Sequence, residues 1–123
     1  MKQAMVWNEE TEESITENGI VLNAIAYIRE HYMEAIGLQD VAQCCNVSPE
    51  YLSRIFKEET GVKFVDFLAN FRISVGKRML ATGNYKVSEV AEAVGFNDQK
   101  YFQKVFKKIC GISPAEYKKE NNR

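Results

Sequence analysis

The sequence predicts an all-α fold of seven helices, and three observations support this class. Both prolines, Pro49 and Pro114, directly follow a serine. Ser-Pro is a strong helix-start signal, because the serine oxygen caps a backbone amide and proline has no amide to leave unpaired. The stretch VKFVDFLANF repeats its apolar residues at helical spacing. No segment shows the sustained alternation that is typical of a strand.

The elements follow in chain order from these signals. Residues 1–19 carry five glutamates against Lys2, and they are predicted to be an acidic tail or linker, disordered and without helical periodicity. From Ile20 onward the apolar spacing is helical. The predicted helices are 20–33, 39–45, 49–60, 63–82, 88–94, 99–110 and 114–121.

Capping signals delimit several of these helices. Gly61 and Gly111 directly follow predicted helices, where a left-handed C-terminal cap favours glycine. In the stretch SPAE, Glu116 stands three residues after Ser113 and completes a capping box.

One amphipathic segment occurs twice, as YLSRIFKEETGV at 51–62 and as YFQKVFKKICGI at 101–112. Upstream, LQDVAQCCNVS aligns with VSEVAEAVGFND, which carries one extra residue in its turn. Each copy is a short helix, a tight turn and a longer helix. Ala42 and Ala91 are small where the two helices must approach closely, and Val47 and Phe96 are predicted to anchor the turns. This pattern is typical of a helix-turn-helix, whose second helix can enter the DNA major groove.

A tandem helix-turn-helix domain is therefore predicted over 20–123. It divides into a first unit at 20–62, a linker helix at 63–82 and a second unit at 83–123. A helix of about 20 residues is about 30 Å long, close to the roughly 34 Å of one turn of B-DNA. The two second helices could then occupy consecutive major grooves. Gly76 lies in the middle of this linker, where either close packing against another helix or a slight bend would explain it.

Helical spacing divides each second helix into two faces. The inward residues are predicted to be Tyr51, Leu52, Ile55 and Phe56 in the first copy and Phe102, Val105, Phe106 and Ile109 in the second. The outward residues are Glu50, Ser53, Arg54 and Lys57, then Gln99, Lys100, Gln103, Lys104 and Lys107. Arg and Lys can pair with guanine and Gln with adenine, while the helix starts near Ser48 and Asp98 offer amides to phosphates.

Charge is distributed unevenly along the chain. The formal net charge is −1, but the acidic tail contributes −4 and leaves 15 basic against 12 acidic residues in 20–123. Between Asn97 and Ile109 four lysines oppose Asp98. The whole-chain charge therefore does not exclude nucleic acid as a partner.

Other classes of function find little support. His31, the single histidine, has no partner in a catalytic motif and is interpreted as a partner for the helix dipole at the end of the first helix. The glycines are scattered singly, so no phosphate loop is expected. An odd number of cysteines without CxxC spacing argues against a disulfide framework or a zinc site, and no cofactor is predicted. Cys44, Cys45 and Cys110 are predicted to be buried thiols that fill helix-packing gaps. No apolar run suits a membrane span or a signal peptide, so a cytoplasmic protein that is not an enzyme is predicted.

The repeat resembles the AraC/XylS family of bacterial transcription regulators. The stretches that carry the resemblance are LQDVAQCCNVSPEYLSRIFKEETGVKFVDFLANFRISVGKRML and VSEVAEAVGFNDQKYFQKVFKKICGISPAEYK. With the helix before them they cover about 100 residues, essentially everything after the tail. The resemblance implies a seven-helix domain with two helix-turn-helix units joined by a long helix. It also implies sequence-specific binding to promoter DNA, activation of transcription, and RNA polymerase as a partner.

Site residues are carried over from the family position by position. Base contacts are implied for Glu50, Ser53 and Arg54 in the first recognition helix, and for Gln99, Lys100, Gln103 and Lys104 in the second. The predicted phosphate contacts are Ser48, Lys57, Lys107 and Lys108. Family members generally carry a sensor or receiver domain, so this chain is expected to be the DNA-binding part of a larger regulator. The alternative is a helical protein-interaction module that antagonises related regulators without binding DNA.

Overall fold

The computed structural model describes residues 18–122, and within them the chain forms seven α-helices and no strand. They are α1 (Gly19–His31), α2 (Leu38–Cys44), α3 (Pro49–Thr60), α4 (Phe64–Ala81), α5 (Val87–Ala93), α6 (Gln99–Cys110) and α7 (Pro114–Glu120). The predicted all-α class is confirmed. Each predicted helix begins and ends within two residues of the observed one.

The predicted disordered tail lies almost wholly outside the described residues, which begin at residue 18. Its last two residues, Asn18 and Gly19, open α1 instead. The Oδ1 atom of Asn18 accepts hydrogen bonds from the backbone amides of Ile20 at 3.0 Å and Val21 at 3.1 Å. Asparagine is among the favoured residues at this capping position.

The predicted caps are confirmed. Ser48 Oγ accepts from the amide of Tyr51 at 3.1 Å at the start of α3. At the start of α7, Ser113 Oγ accepts from the amide of Glu116, and the Glu116 carboxylate accepts from the amide of Ser113. These bonds to Ser113 hold the pKa of the Glu116 carboxyl below its ordinary value. Gly61 and Gly111 end α3 and α6 in the left-handed conformation, with φ of 80° and 86°.

The described residues fall into two compact units. The first comprises residues 18–31 and Ile36–Leu68, and the second comprises Tyr32–Ala35 and residues 69–122. The division falls inside α4, so the first turn of that helix belongs to the first unit and the remainder to the second.

In the first unit, α1, α2 and α3 pack against one another around a buried apolar core. Ala42 is 1% exposed, which agrees with its predicted place at a close approach of two helices. The ring of Phe56, which is fully buried, meets Phe67 edge-on at 5.2 Å and Phe64 at 5.9 Å between centroids. Apolar burial of this kind is the main favourable term that holds α3 in place.

The second unit is built on a chain of aromatic rings. Phe96, Phe102, Phe106 and Tyr117 follow one another at centroid distances of 5.2, 5.8 and 5.6 Å. On α4, a Cβ atom added at Gly76 would lie 3.3 Å from Val90 Cγ1 and 3.7 Å from the ring of Phe102. Close packing against α5 and α6 therefore accounts for this glycine, which was one of the two explanations that the sequence left open.

Three predictions of burial are wrong. Tyr51 is 36% exposed and Ile109 is 42% exposed, although both were expected to face inward. Cys44 is exposed, and Cys45 and Cys110 are half-buried rather than fully enclosed. Burial still raises the pKa of both half-buried thiols, since it disfavours the thiolate.

Candidate nucleic-acid interface

The exposed face of α3 carries the side chains that the sequence assigned to the first recognition helix. Glu50, Ser53, Arg54 and Lys57 are all exposed, as is Ser48 at the N-terminal cap. Leu52 and Phe56 are fully buried on the opposite side of the helix. The inner face is therefore fixed in the core while the outer face presents a mixed row of acidic, hydroxyl and basic groups.

Arg54 is held on this outer face by two neighbours. Its Nη1 atom lies 3.2 Å from Glu58 Oε2, and its guanidinium carbon lies 5.0 Å from the centroid of the Tyr51 ring. Tyr51 thus lies beneath an exposed arginine instead of in the core. The sequence interpretation missed both partners, although their i, i+3 and i, i+4 spacing on a helix was the available signal.

The exposed face of α6 is more basic. Its predicted contact residues are all exposed: Gln99, Lys100, Gln103, Lys104, Lys107 and Lys108. Phe102 and Phe106 are fully buried behind them. Beside the start of this helix is a groove of about 360 Å³ lined by Ser88, Ala91, Glu92, Phe96, Asn97 and Gln99.

The two helices differ at their first turns. Asp98 caps α6, and its Oδ1 atom accepts from the amides of Lys100 at 2.9 Å and Tyr101 at 3.4 Å. An anion at this point would meet a carboxylate that already occupies those amides. At the cap of α3 the neutral Ser48 hydroxyl makes the equivalent contact, and the carboxylate in the first turn of α3 is that of Glu50.

The turns before these helices also differ in composition. In the first unit, the turn contains Asn46 at φ 60°, and in the second it contains Gly95 at φ 100°. A Cβ atom at Gly95 would lie 2.5 Å from the carbonyl oxygen of Tyr32. Phe96, predicted to anchor this turn, is 7% exposed, whereas its counterpart Val47 is half-buried.

Arg72 donates hydrogen bonds to the segment that lies against the turn of the second unit. Its Nε donates to the carbonyl of Tyr32 at 2.7 Å, and its Nη2 donates to the carbonyl of Glu34 at 2.8 Å. The guanidinium carbon lies 5.7 Å from the centroid of the Phe96 ring. Partial burial lowers the pKa of Arg72, but arginine remains charged at neutral pH. Arg72 therefore stabilises the turn before α6 and is not one of the predicted contact residues on the exposed face of α6.

The histidine, the possible metal ligands and the helix lengths of residues 18–122 bear on other kinds of site. His31 ends α1 and stacks on Tyr27 with ring centroids 4.4 Å apart. Within this range no cluster of three or more His, Cys, Asp or Glu side chains could hold a metal ion. Nor does any helix in it combine the length and apolarity needed to cross a bilayer.

Comparisons with known proteins identify the arrangement. A family model described as a helix-turn-helix domain matches residues 41–120. The chain belongs to the AraC/XylS-type helix-turn-helix family. YisR from Bacillus subtilis, an uncharacterized helix-turn-helix transcriptional regulator, is 36% identical over 100 residues, which are 81% of this chain and 35% of YisR.

Solved structures agree with this assignment. The C-terminal domain of AraT, a response regulator from Geobacillus stearothermophilus, matches with a TM-score of 0.81 and 38% identity over 84% of this chain and 86% of that domain. The DNA-binding domain of AdpA, a global transcriptional factor solved with a target DNA, matches with a TM-score of 0.79 and 27% identity over 84% and 93%.

The AraC/XylS-type assignment settles the class of protein. YisR is a transcriptional regulator, AraT is a response regulator and AdpA is a transcriptional factor with a DNA-binding domain, which agrees with the expectation that the chain is not an enzyme. The chain spans about a third of the length of the curated relatives that it matches.

Proposed function

We propose that this chain binds double-stranded DNA in a sequence-specific manner, with α3 and α6 as its two recognition helices. The observation that carries the proposal is the shared construction of the two helices. Each buries a pair of apolar residues and exposes a row of side chains able to reach base edges. The AdpA domain, solved with its target DNA, supports DNA as the ligand.

The residues have separate roles in this proposal. Base contacts are assigned to Glu50, Ser53 and Arg54 on α3 and to Gln99, Lys100, Gln103 and Lys104 on α6. Phosphate contacts are assigned to Ser48, Lys57, Lys107 and Lys108. Phosphate contacts supply affinity for any sequence and depend on salt, while base contacts discriminate between sequences.

We also propose that the two helices engage consecutive major grooves. The intervening helix α4 is continuous over 18 residues, which corresponds to about 27 Å at about 1.5 Å per residue. Successive major-groove faces on one side of B-DNA are roughly 34 Å apart. In this proposal one chain contacts a site of two half-sites without needing to dimerise.

Selection of bound duplexes from a random pool, at a stated salt concentration, tests this function. Enrichment of two short motifs with centres about 10 base pairs apart would support two engaged helices. A single enriched motif would show that one helix is sufficient. If repeated selection enriched no sequence while the protein remained folded, sequence-specific binding would be ruled out.

The resemblance extends the proposal to the whole regulator. We propose RNA polymerase as a partner, activation as the outcome and a sensor or receiver domain as the source of regulation. In vitro transcription from a promoter that carries the selected site measures the effect. An increase in transcript that depends on that site is the expected result, and repression would contradict the activator assignment.

A further inference from the structure

The guanidinium of Arg54 is oriented by side chains one turn before it and one turn after it. Tyr51 precedes it by three residues and lies 5.0 Å below the guanidinium. Glu58 follows it by four residues and binds Nη1 at 3.2 Å. Residues at these spacings share one side of a helix, so the three side chains form a row, here called the Arg54 triad (Tyr51, Arg54 and Glu58).

Stability alone does not explain the triad. The side chains of Arg54 and Glu58 are 59% and 54% exposed, and an ion pair in water contributes little to the free energy of unfolding. A carboxylate is also unfavourable on a helix face that approaches phosphates. The presence of Glu58 beside Arg54 is therefore better explained by an effect on the orientation of that arginine.

The second unit provides an internal comparison. Fifty residues later the same positions are Tyr101, Lys104 and Lys108. A lysine replaces the carboxylate, so the charge opposite to Lys104 is missing from this position. Tyr101 is 58% exposed, and its ring lies 5.9 Å from Phe96 instead of forming a platform beneath a held cation. The triad is a feature of the first unit.

We propose that Tyr51 and Glu58 are positioning residues that hold Arg54 ready to recognise a guanine. This inference rests on the proposed function, in which Arg54 contacts a base. A free arginine loses rotamer freedom when it binds, and a side chain that is already ordered loses less. Glu58 engages Nη1, while Nε and Nη2 carry further N–H groups that can pair with O6 and N7 of guanine.

The effect of Glu58→Gln on sequence preference distinguishes a positioning role for Glu58 from that of an ordinary surface carboxylate. If Glu58 were only a surface carboxylate, Glu58→Gln would strengthen binding to every sequence by the same factor. If Glu58 positions Arg54, the same change lowers the ratio of affinities for the preferred duplex and for one altered at the Arg54-dependent base pair. Affinity for random duplex stays equal or rises in both cases.

The experiment starts from the duplex selected by the wild-type chain. Dissociation constants are measured at one salt concentration for the selected duplex, for its single-base-pair variants and for random duplex. Arg54→Ala identifies the base pair that depends on Arg54. We expect Tyr51→Leu and Glu58→Gln each to lower the affinity ratio at that base pair by about threefold to tenfold, as loss of pre-organisation should.

Two control variants test whether the aromatic ring is the part of Tyr51 that matters and whether the effect is confined to the first unit. Tyr51→Phe retains the platform and should preserve the ratio within about twofold, because the cation–π contact needs only the ring. Tyr101→Leu removes the corresponding tyrosine of α6 and should leave the ratio at the Arg54-dependent base pair unchanged. Circular dichroism establishes that each variant is folded before binding is compared.

The possible failures are distinguishable. If the wild-type chain selects no sequence, the proposed function itself is overturned. If selection succeeds but Arg54→Ala changes no base-pair preference, the inference is wrong and the function stands. The inference is likewise overturned if Glu58→Gln strengthens binding to every duplex equally, or if Tyr51→Leu is folded and retains the full ratio.

Discussion

Asn46 turns the chain before α3 at φ 60°, whereas Gly95 does so before α6 at φ 100°. Asparagine tolerates the left-handed region better than most residues, but only glycine is suited to the second turn. There the carbonyl of Tyr32 and the guanidinium of Arg72 occupy the space that a Cβ atom would need. The same motif thus has a permissive turn in one unit and a crowded one in the other.

The first turns of α3 and α6 differ as well. α3 begins with Ser48 and Pro49, which leave no charge at the cap. α6 begins with Asp98, whose carboxylate binds two of the amides that a phosphate could use. A duplicated fold therefore need not carry a duplicated exposed surface: α3 offers an arginine held by two neighbours and a neutral cap, and α6 offers four lysines behind an acidic cap.

The largest expected effects test whether the two cores are equivalent. Phe56→Ala and Phe106→Ala each remove a fully buried ring at matched positions. Each should lower the free energy of unfolding by about 3–5 kcal/mol, through lost burial and the cavity left behind. Urea denaturation followed by circular dichroism measures the loss.

The matched control for these phenylalanines is Ile109→Ala. Its side chain is 42% exposed, so we expect a loss of no more than about 1 kcal/mol. A small loss for either phenylalanine would contradict the equivalence of the cores.

The crowded turn predicts the next largest effect. Gly95→Ala should lower the free energy of unfolding by about 3 kcal/mol, because it adds a clash with the Tyr32 carbonyl to an unfavourable φ. Asn46→Ala, in the permissive turn, should cost about 1 kcal/mol. Thermal and chemical denaturation of the two variants measure the difference. Equal losses of unfolding free energy in the two variants would show that crowding at Gly95 does not affect stability.

Much of this fold follows from local signals in the sequence. Ser48 and Ser113, each followed by proline, mark helix starts that the structure confirms, and Gly61 and Gly111 mark two ends. Such caps are predictable because the hydrogen bonds that they satisfy lie within a few residues. The outward row of α3 follows in the same way from the spacing of Leu52 and Phe56.

The remaining features depend on distant or competing contacts. Tyr51 precedes Leu52 on α3, so it lies about 100° away around the helix, at the margin of the buried face. Its environment is set by Arg54, which covers the ring from the solvent side. Ile109 has the spacing of an inward residue but belongs to the last turn of α6, where it remains partly in solvent. Periodicity gives the direction of a side chain, not the extent of the surface that it meets.

The roles of individual basic residues predict smaller effects. Arg54→Ala should weaken binding to the selected duplex by about 1–3 kcal/mol and relax the preference at one base pair. Lys107→Ala should weaken binding to all sequences alike and reduce the slope of log affinity against log salt by about one. Titrations of selected and random duplex at several salt concentrations separate the two outcomes. Equal losses on both duplexes for both variants would refute the assignment of roles.

The smallest expected effect concerns the caps, and exchanging them tests whether both helix starts lie near phosphates. Asp98→Ser replaces a carboxylate by the hydroxyl that caps α3, and serine is itself a good cap. The fold should therefore change little in stability. Affinity for random duplex should rise by up to about 1 kcal/mol at low salt, since a neutral cap no longer repels an anion from the positive end of the helix dipole.

The reciprocal change, Ser48→Asp, should lower that affinity by a similar amount, because it places a carboxylate over the first amides of α3. Asp98→Asn separates charge from shape, since the amide keeps a capping oxygen without the negative charge. An increase for Asp98→Asn that matches Asp98→Ser would identify the charge as the cause. If Ser48→Asp weakens binding while both Asp98 variants leave it unchanged, only α3 has its first turn against the backbone, and α6 must use its lysines farther along the helix.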